Sequence, residues 1–355
     1  MNRREFLHTS AATAASAAAA SAATILSAPA VHGEDKAGTK PAVVGDGAFK
    51  YECNHNWGEL PEKIRWQTTH GVAVDSAGLV YVTHQGAGGK DAMDTVVVFD
   101  PAGKYVRSFG KEYAGGGHGI DIRKEGSEEF IYLSNVNGGG PVAKVTLKGE
   151  TVWRKWPTEN GPYTRADAFK PTNVAFAPDG GFYVGDGYGS HYVHRYDKDG
   201  KWVSTFGGPG KDASKLSTPH GLWWDDRPGR EASLCVCDRA NNRLQYFTAD
   251  GKHLSFVKDV SYPAHIDIRG EVMLVADLHA RVSLFDKDNK VIAHLGYDPE
   301  WTKKVLDGFK VRTKPAEWVD GRFVHPHDAC FDKDGNILVA EWVSTGRVGF
   351  LKKLA

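Results

Sequence analysis

The chain repeats itself, and that repetition limits what it can fold into more than any other feature. From residue 70 onward one pattern recurs six times. A short apolar strand runs into an Asp/Gly turn and a second strand that ends in Val-x-Asp or a close relative. A variable loop, a third strand, a further turn and a fourth strand follow. The first repeat runs from His70-Gly71-Val72-Ala73-Val74-Asp75 through Val80-Tyr81-Val82 and Val96-Val97-Val98-Phe99-Asp100 to Ser108-Phe109-Gly110. The second opens at His118 and the third, the most regular, at Pro171-Thr172-Asn173-Val174-Ala175-Phe176; the others open at Pro219, Pro263 and Pro326. Alternating apolar residues with turn signals every ten or so positions predict strands, not helices. A period of roughly 40 residues with four strands predicts the blades of an all-β, six-bladed β-propeller.

The last repeat ends after Gly346-Arg347-Val348-Gly349-Phe350-Leu351, with no room for a fourth strand. The segment Phe49-Lys50-Tyr51-Glu52-Cys53 precedes the first full repeat without a partner of its own. It is predicted to supply the outer strand of the last blade, which ties the ends together and protects the sheet edges. The propeller is accordingly assigned to residues 46–355. Two insertions, around residues 156–170 and 297–323, are expected to shape one mouth, the second being charged and partly helical.

The N-terminus reads as an address. Arg3-Arg4-Glu5-Phe6-Leu7 is a twin-arginine pattern, followed by an alanine-rich, weakly apolar run and the small-residue site Ala28-Pro29-Ala30. Residues 1–30 are expected to be a cleaved signal and 31–45 a flexible leader, giving a periplasmic or secreted bacterial protein without a lasting membrane anchor. Taking Arg3, Arg4 and Glu5 from 44 basic and 44 acidic side chains leaves 42 and 43. That balance argues against nucleic acid or an anionic membrane as the main partner. A monomer that binds a peptide or small molecule is the expectation. Cys53, Cys235, Cys237 and Cys330 form no C-x-x-C, so buried thiols are expected rather than a thiolate metal site. The Asp-Lys-Asp-Gly runs at 197–200 and 332–335 lack the glycine and glutamate positions of a calcium loop and read as hairpin turns.

Fifteen histidines are present, and most need no explanation. His118, His220 and His327 are different, because they open repeats two, four and six at one position. In a ring those repeats lie a third of a turn apart, so three imidazoles should meet near the axis as a metal site with an open side, the arrangement of catalytic zinc. His70 occupies the same position in repeat one, where Thr172 and Ala264 stand in repeats three and five. As a fourth ligand it would break the threefold spacing, so His70 is expected to support the ligands from behind or to contact substrate.

These residues resemble a known family. The repeats look like NHL-type propellers, and the chain is similar to peptidyl-α-hydroxyglycine α-amidating lyases. The best stretches are the His118-Gly119-Ile120 opening, Asp186-Gly187-Tyr188, Pro219-His220-Gly221-Leu222, Cys235-Val236-Cys237-Asp238-Arg239-Ala240-Asn241 and Pro326-His327-Asp328. The resemblance implies zinc on His118, His220 and His327, a catalytic tyrosine at Tyr188 and an active-site arginine at Arg239. It also implies a structural calcium held by the Asp328 carboxylate and the Ile120 carbonyl. The chain departs from the family at His70, where a catalytic arginine is expected, at His325, where a methionine is expected, and at Gly189 and Tyr246, where cysteines are expected. Three functions follow: a zinc lyase acting on an α-hydroxyglycine-type C–N bond, a metal-assisted hydrolase, or a non-enzymatic propeller that binds a glycan or protein and holds a structural metal.

Overall fold

The computed structural model describes residues 41–354 apart from 138 and 157–160. The signal, all of the leader before residue 41 and part of the first insertion lie outside the described residues. Six antiparallel sheets form, in chain order, as the repeats predict. The first strands of the blades are Thr69–Val74, Gly117–Glu125, Asn173–Phe176, Pro219–Asp225, Pro263–Arg269 and Pro326–Phe331. Each touches the first strand of the next blade, and the last touches the first, so the ring is closed.

The strands are apolar on both faces because both are covered. In Val80–His84, Val80 and Val82 face the last blade while Tyr81 faces the second. In Ser233–Asp238, Leu234 and Val236 pack against blade three, and Cys235 and Cys237 against blade five. This two-residue alternation places an apolar core at each of the six blade junctions among the described residues. Each fully buried Val, Leu, Ile or Phe side chain contributes on the order of 2 kcal/mol. All four cysteines are buried and free, as expected.

Ring closure follows the predicted route and goes one strand further. Tyr51–Asn54 pairs with Arg347–Lys353, with Cys53 opposite Leu351. A fifth strand, Ala42–Val44, then pairs with Tyr51–Asn54. The leader expected to reach residue 45 is therefore sheet from residue 42. Val44 is drawn into the core between blades five and six, and Gly45 takes a left-handed turn in which a Cβ would strike the Phe49 carbonyl.

The insertion at 297–323 is partly helical, with an α-helix at Pro299–Leu306 and 3₁₀ turns at Lys310–Thr313 and Pro315–Glu317. Asp298 caps the helix by accepting from the Trp301 amide at 2.8 Å. Trp301, Val305 and Val311 seat the insertion on Val324 and Val343 of blade six. The two Asp-Lys-Asp-Gly runs are tight turns, in which Asp197 and Asp332 each accept from the amide two residues on at 2.9 Å.

Candidate functional site

A shared irregularity of the inner strands builds the site. In five blades the first strand slips register where its opening residue stands: between Thr69 and Gly71, Gly117 and Ile120, Pro219 and Leu222, Pro263 and His265, and Pro326 and Asp328. A bulge takes a residue out of the ladder and re-aims its side chain. His70, His118, His220 and His327 each occupy such a bulge and converge near the axis. Ring centroids are 4.8 Å apart for His118–His327, 4.9 Å for His118–His220 and 4.6 Å for His220–His327. His70 lies 4.8 Å from His118 and 4.9 Å from His327.

Three of these rings are anchored identically. Nδ1 of His118 meets the Thr172 carbonyl at 2.8 Å, Nδ1 of His220 the Ala264 carbonyl at 2.6 Å, and Nδ1 of His327 the His70 carbonyl at 2.8 Å. Each acceptor is the corresponding residue of the following blade. An Nδ1–H held in this way leaves Nε2 with its lone pair free, the outer support that metal-bound histidines commonly have. The glycine after the histidine makes the approach feasible. A Cβ on Gly221 would lie 2.6 Å from the Ala264 carbonyl, and one on Gly119 would run into that of Thr172.

All four imidazoles are held neutral. His118 is pushed down to about 3, chiefly by burial. His70, His220 and His327 also fall well below the ordinary value, burial being the largest cause for each. Neutral imidazole is the ligating form. Nε2 of His118, Nε2 of His327 and Nδ1 of His70 are buried without a hydrogen-bond partner. Ligand nitrogens of His70, His118 and His327 lie within 4.8 Å of one another, so this trio can hold a metal ion. The spacing of the repeats singled out His220 in place of His70. His220 packs against His118 and His327 at 4.9 and 4.6 Å between ring centroids, but its Nε2 is engaged by the Tyr188 hydroxyl at 3.0 Å.

Tyr188 and Arg239 reach the cluster from blades three and four. The Tyr188 ring stands edge-on to His118 and His220, at 5.3 and 5.4 Å. Its loop is held by Asp186, whose carboxylate accepts from the Lys170 and Ser190 amides at 2.7 and 2.6 Å and from the Tyr163 hydroxyl at 2.8 Å. Gly187 and Gly189 are required there, because a Cβ on either would strike backbone carbonyls. Arg239 is 6% exposed. Its guanidinium lies 5.0 Å from the ring centre of Tyr188 and 5.3 Å from that of Tyr262. An ordinary blade ion pair with Asp238 is not made, because Asp238 is taken by Arg243 at 2.6 Å.

Asp328, to which the resemblance assigns a calcium, faces a histidine. Oδ1 of Asp328 lies 2.6 Å from Nδ1 of His265, a charge contact rather than an aligned hydrogen bond. Oδ2 accepts from the Val72 amide at 3.3 Å. Nε2 of His265 faces Asp121 at 3.8 Å. Burial opposes a charge on His265, but Asp328 and Asp121 outweigh it and raise its pKa well above the ordinary value. Ile120 is a fully buried residue of the inner strand, opposite Leu133.

Sequence reasoning missed His265, Asp121, Tyr262, Arg312 and Trp342. His265 lies one position beyond the repeat-opening residue and Asp121 three beyond it, within the inner strand Gly117–Glu125, while Tyr262, Arg312 and Trp342 sit in loops and an insertion that carry no periodic signal. His325 is no part of the cluster. Its Nδ1 meets the Leu278 carbonyl at 2.8 Å and its ring packs on Phe309 and Trp342.

No family model matches the chain. Peptidylglycine alpha-amidating monooxygenase of Rattus norvegicus is 23% identical over 343 residues, covering 84% of this chain and 32% of the relative. Peptidyl-alpha-hydroxyglycine alpha-amidating lyase 1 of Drosophila melanogaster is 26% identical over 283 residues, covering 70% of this chain and 47% of the relative. The human NHL repeat-containing protein 3 is 27% identical over 208 residues, covering 56% of this chain and 57% of the relative. The chain thus spans between a third and somewhat over half of the length of these relatives. A gluconolactonase of Xanthomonas campestris superimposes with a TM-score of 0.60 at 12% identity, covering 89% of this chain and 95% of the other. A streptogramin B lyase gives 0.53 at 14% identity, covering 86% and 99%. The structural likeness shows the propeller fold; the sequence likeness bears out the resemblance to the amidating lyases and to NHL-repeat proteins.

Proposed function

We propose that this propeller, a distant relative of the amidating lyases, is itself a metal-dependent lyase that cleaves an N-acyl-α-hydroxyglycine to an amide and glyoxylate. The observation that carries the reading is the Tyr188 hydroxyl 3.0 Å from Nε2 of His220. It places an acid–base group against a cluster of neutral imidazoles. Zinc would be held by His118, His220 and His327, the three rings with matching Nδ1 anchors, Nε2 of His220 exchanging the Tyr188 hydroxyl for the ion so that the hydroxyl is left beside it, and when bound would polarise the substrate's oxygen atoms. His70, whose Nδ1 points into the same space without a partner, would face the substrate.

The chemistry is a balanced elimination. Tyr188, as phenolate, takes the proton of the α-hydroxyl. The oxygen lone pair forms the C=O of glyoxylate as the C–N bond breaks. The bonding pair moves to nitrogen, which recovers the proton from Tyr188 to give the primary amide. Proton transfer by a placed side chain contributes about 10²–10⁴-fold. Arg239, 5.0 Å from the Tyr188 ring, supplies positive charge where the phenolate forms. The substrate end is a small molecule or a peptide terminus, and the protein acts after export through the twin-arginine route.

The test is glyoxylate release from α-hydroxyhippurate by zinc-reconstituted protein. Metal-dependent formation of glyoxylate and benzamide in equal amounts supports the lyase. Benzoate in place of benzamide would reveal a hydrolase, and no turnover with stoichiometric zinc would leave a binding propeller.

A further inference from the structure

Arginines at blade ends in this protein usually close on a carboxylate. Arg243 pairs with Asp238 at 2.6 Å, Arg281 with Asp277 at 2.8 Å and Arg347 with Glu341 at 2.7 Å. Two mouth arginines break the rule. Among the described residues neither Arg239 nor Arg312 pairs with a carboxylate, and Nε of each is buried without a partner. Arg239 is buried and Arg312 half-buried, and a cation withdrawn from water is normally paired.

Arg239 is partly accounted for by Tyr188 and Tyr262. Arg312 is not. It comes from the 3₁₀ turn Lys310–Thr313 of the insertion, which is pinned to blade six. The Arg312 carbonyl accepts from the amide and the hydroxyl of Ser344 at 3.1 and 3.2 Å. The guanidinium lies flat on Trp342, 3.3 Å from the ring centre. Stacking satisfies one face and leaves the N–H edge open for a bidentate acceptor. Trp342 is fixed by its amide, which donates to the His325 carbonyl at 2.7 Å. The residue before it, Glu341, accepts through its carbonyl from the Thr69 hydroxyl at 2.6 Å, next to His70. Arg312 is close enough to His70 and to His325 for its charge to disfavour protonation of both. Two cations thus border a cluster of neutral imidazoles, and among the described residues no carboxylate pairs with either.

We propose that Arg312 is the carboxylate-binding residue of the mouth: it selects a substrate that ends in a free carboxylate and leaves Arg239 to serve Tyr188. The inference rests on the lyase reading for the acyl-glycine character of the ligand, and on the geometry for its charge. Arg312 is a positioning and specificity residue. It takes up the task left open by His70, where the resemblance leads one to expect an arginine.

The experiment uses hippurate, an unreactive carboxylate, and neutral hippuramide as calorimetric probes of the zinc-loaded full-length protein. Wild type should bind hippurate at least about tenfold more tightly than hippuramide, and Arg312→Gln should bring hippurate down to the hippuramide level. Arg312→Lys should fall between them, since an ammonium keeps the charge but loses the fork. With α-hydroxyhippurate, R312Q should raise KM by a similar factor while kcat stays within about threefold. Should R312Q fail to fold, R312K supplies the readout. Unchanged hippurate affinity in a folded variant overturns the proposal, as does a wild type that prefers neither probe or binds neither. Arg312-dependent hippurate binding without glyoxylate release would refute the lyase reading alone. Glyoxylate release with an unaltered KM in R312Q would refute this inference alone.

Discussion

The Tyr188 hydroxyl stands 3.0 Å from Nε2 of His220, while Nδ1 of the same ring is fixed at 2.6 Å to the Ala264 carbonyl of the next blade. One imidazole therefore joins the acid–base residue of blade three to the backbone of blade five. Tyr188→Phe removes the hydroxyl and keeps the ring that packs against His118 and Arg239. We expect kcat for glyoxylate release to fall by about 10²-fold or more, with hippurate affinity within about threefold of wild type. Turnover near the wild-type rate would exclude Tyr188 as the base.

The His-Gly motif has a mechanical reading. Because a Cβ on Gly221 would lie 2.6 Å from the Ala264 carbonyl, Gly221→Ala must push blade five away or turn His220. We expect a loss of about 1–3 kcal/mol in urea unfolding, typical of overpacking, together with weaker zinc binding. The matching change at Gly229, where a Cβ meets nothing within 4 Å, should leave zinc affinity unaltered.

Ring closure carries an acid sensitivity. Glu341 is wholly buried and held by Arg347 at 2.7 Å and by the Val324 amide at 2.6 Å. Burial pushes its carboxyl up, but Arg347 and His55 outweigh that and hold it at about 2. The folded value lies below that of an unfolded glutamate, about 4.3. Its stabilisation is therefore complete above that pH and is lost as pH falls from about 4 towards 2. Glu341→Gln leaves Arg347 buried without its carboxylate and should cost about 3 kcal/mol or more at pH 7. Urea unfolding at pH 7, 5 and 3 should show the gap between wild type and variant closing only at the acid end.

Export is a separate prediction. Replacing both Arg3 and Arg4 by Lys should retain the precursor in the cytoplasm, while wild type should reach the periplasm shortened by about 30 residues. Fractionation followed by N-terminal sequencing decides the matter, and normal export of the double variant would remove the twin-arginine assignment.

The ring and its histidines were legible because both are periodic. Apolar alternation marked the strands, and His118, His220 and His327 stood out by recurring at one position. The bulge that re-aims them has no sequence mark beyond the adjoining glycine, and blade six replaces that glycine with Asp328. Equivalence in alternate repeats favoured His220 over His70, yet a ring places every opening residue near the axis, so His70 arrives as well. Arg312 and Trp342 were out of reach, since their meeting depends on how an aperiodic insertion folds back over blade six. His265 is a residue of no repeat-linked class, and only the folded ring creates its position against Asp328. Residues 42–44 were assigned to a leader because one short apolar run, with no repeat behind it, does not declare itself a strand.

Zinc content per chain, measured after reconstitution and dialysis for wild type and for the single alanine variants of His70, His118, His220 and His327, tests the centre most directly. We expect one zinc in wild type, little or none in the His118, His220 and His327 variants, and near-full occupancy in His70→Ala, since only the first three share the Nδ1 anchor. Wild type without zinc, or full occupancy in His220→Ala together with loss in His70→Ala, would contradict it.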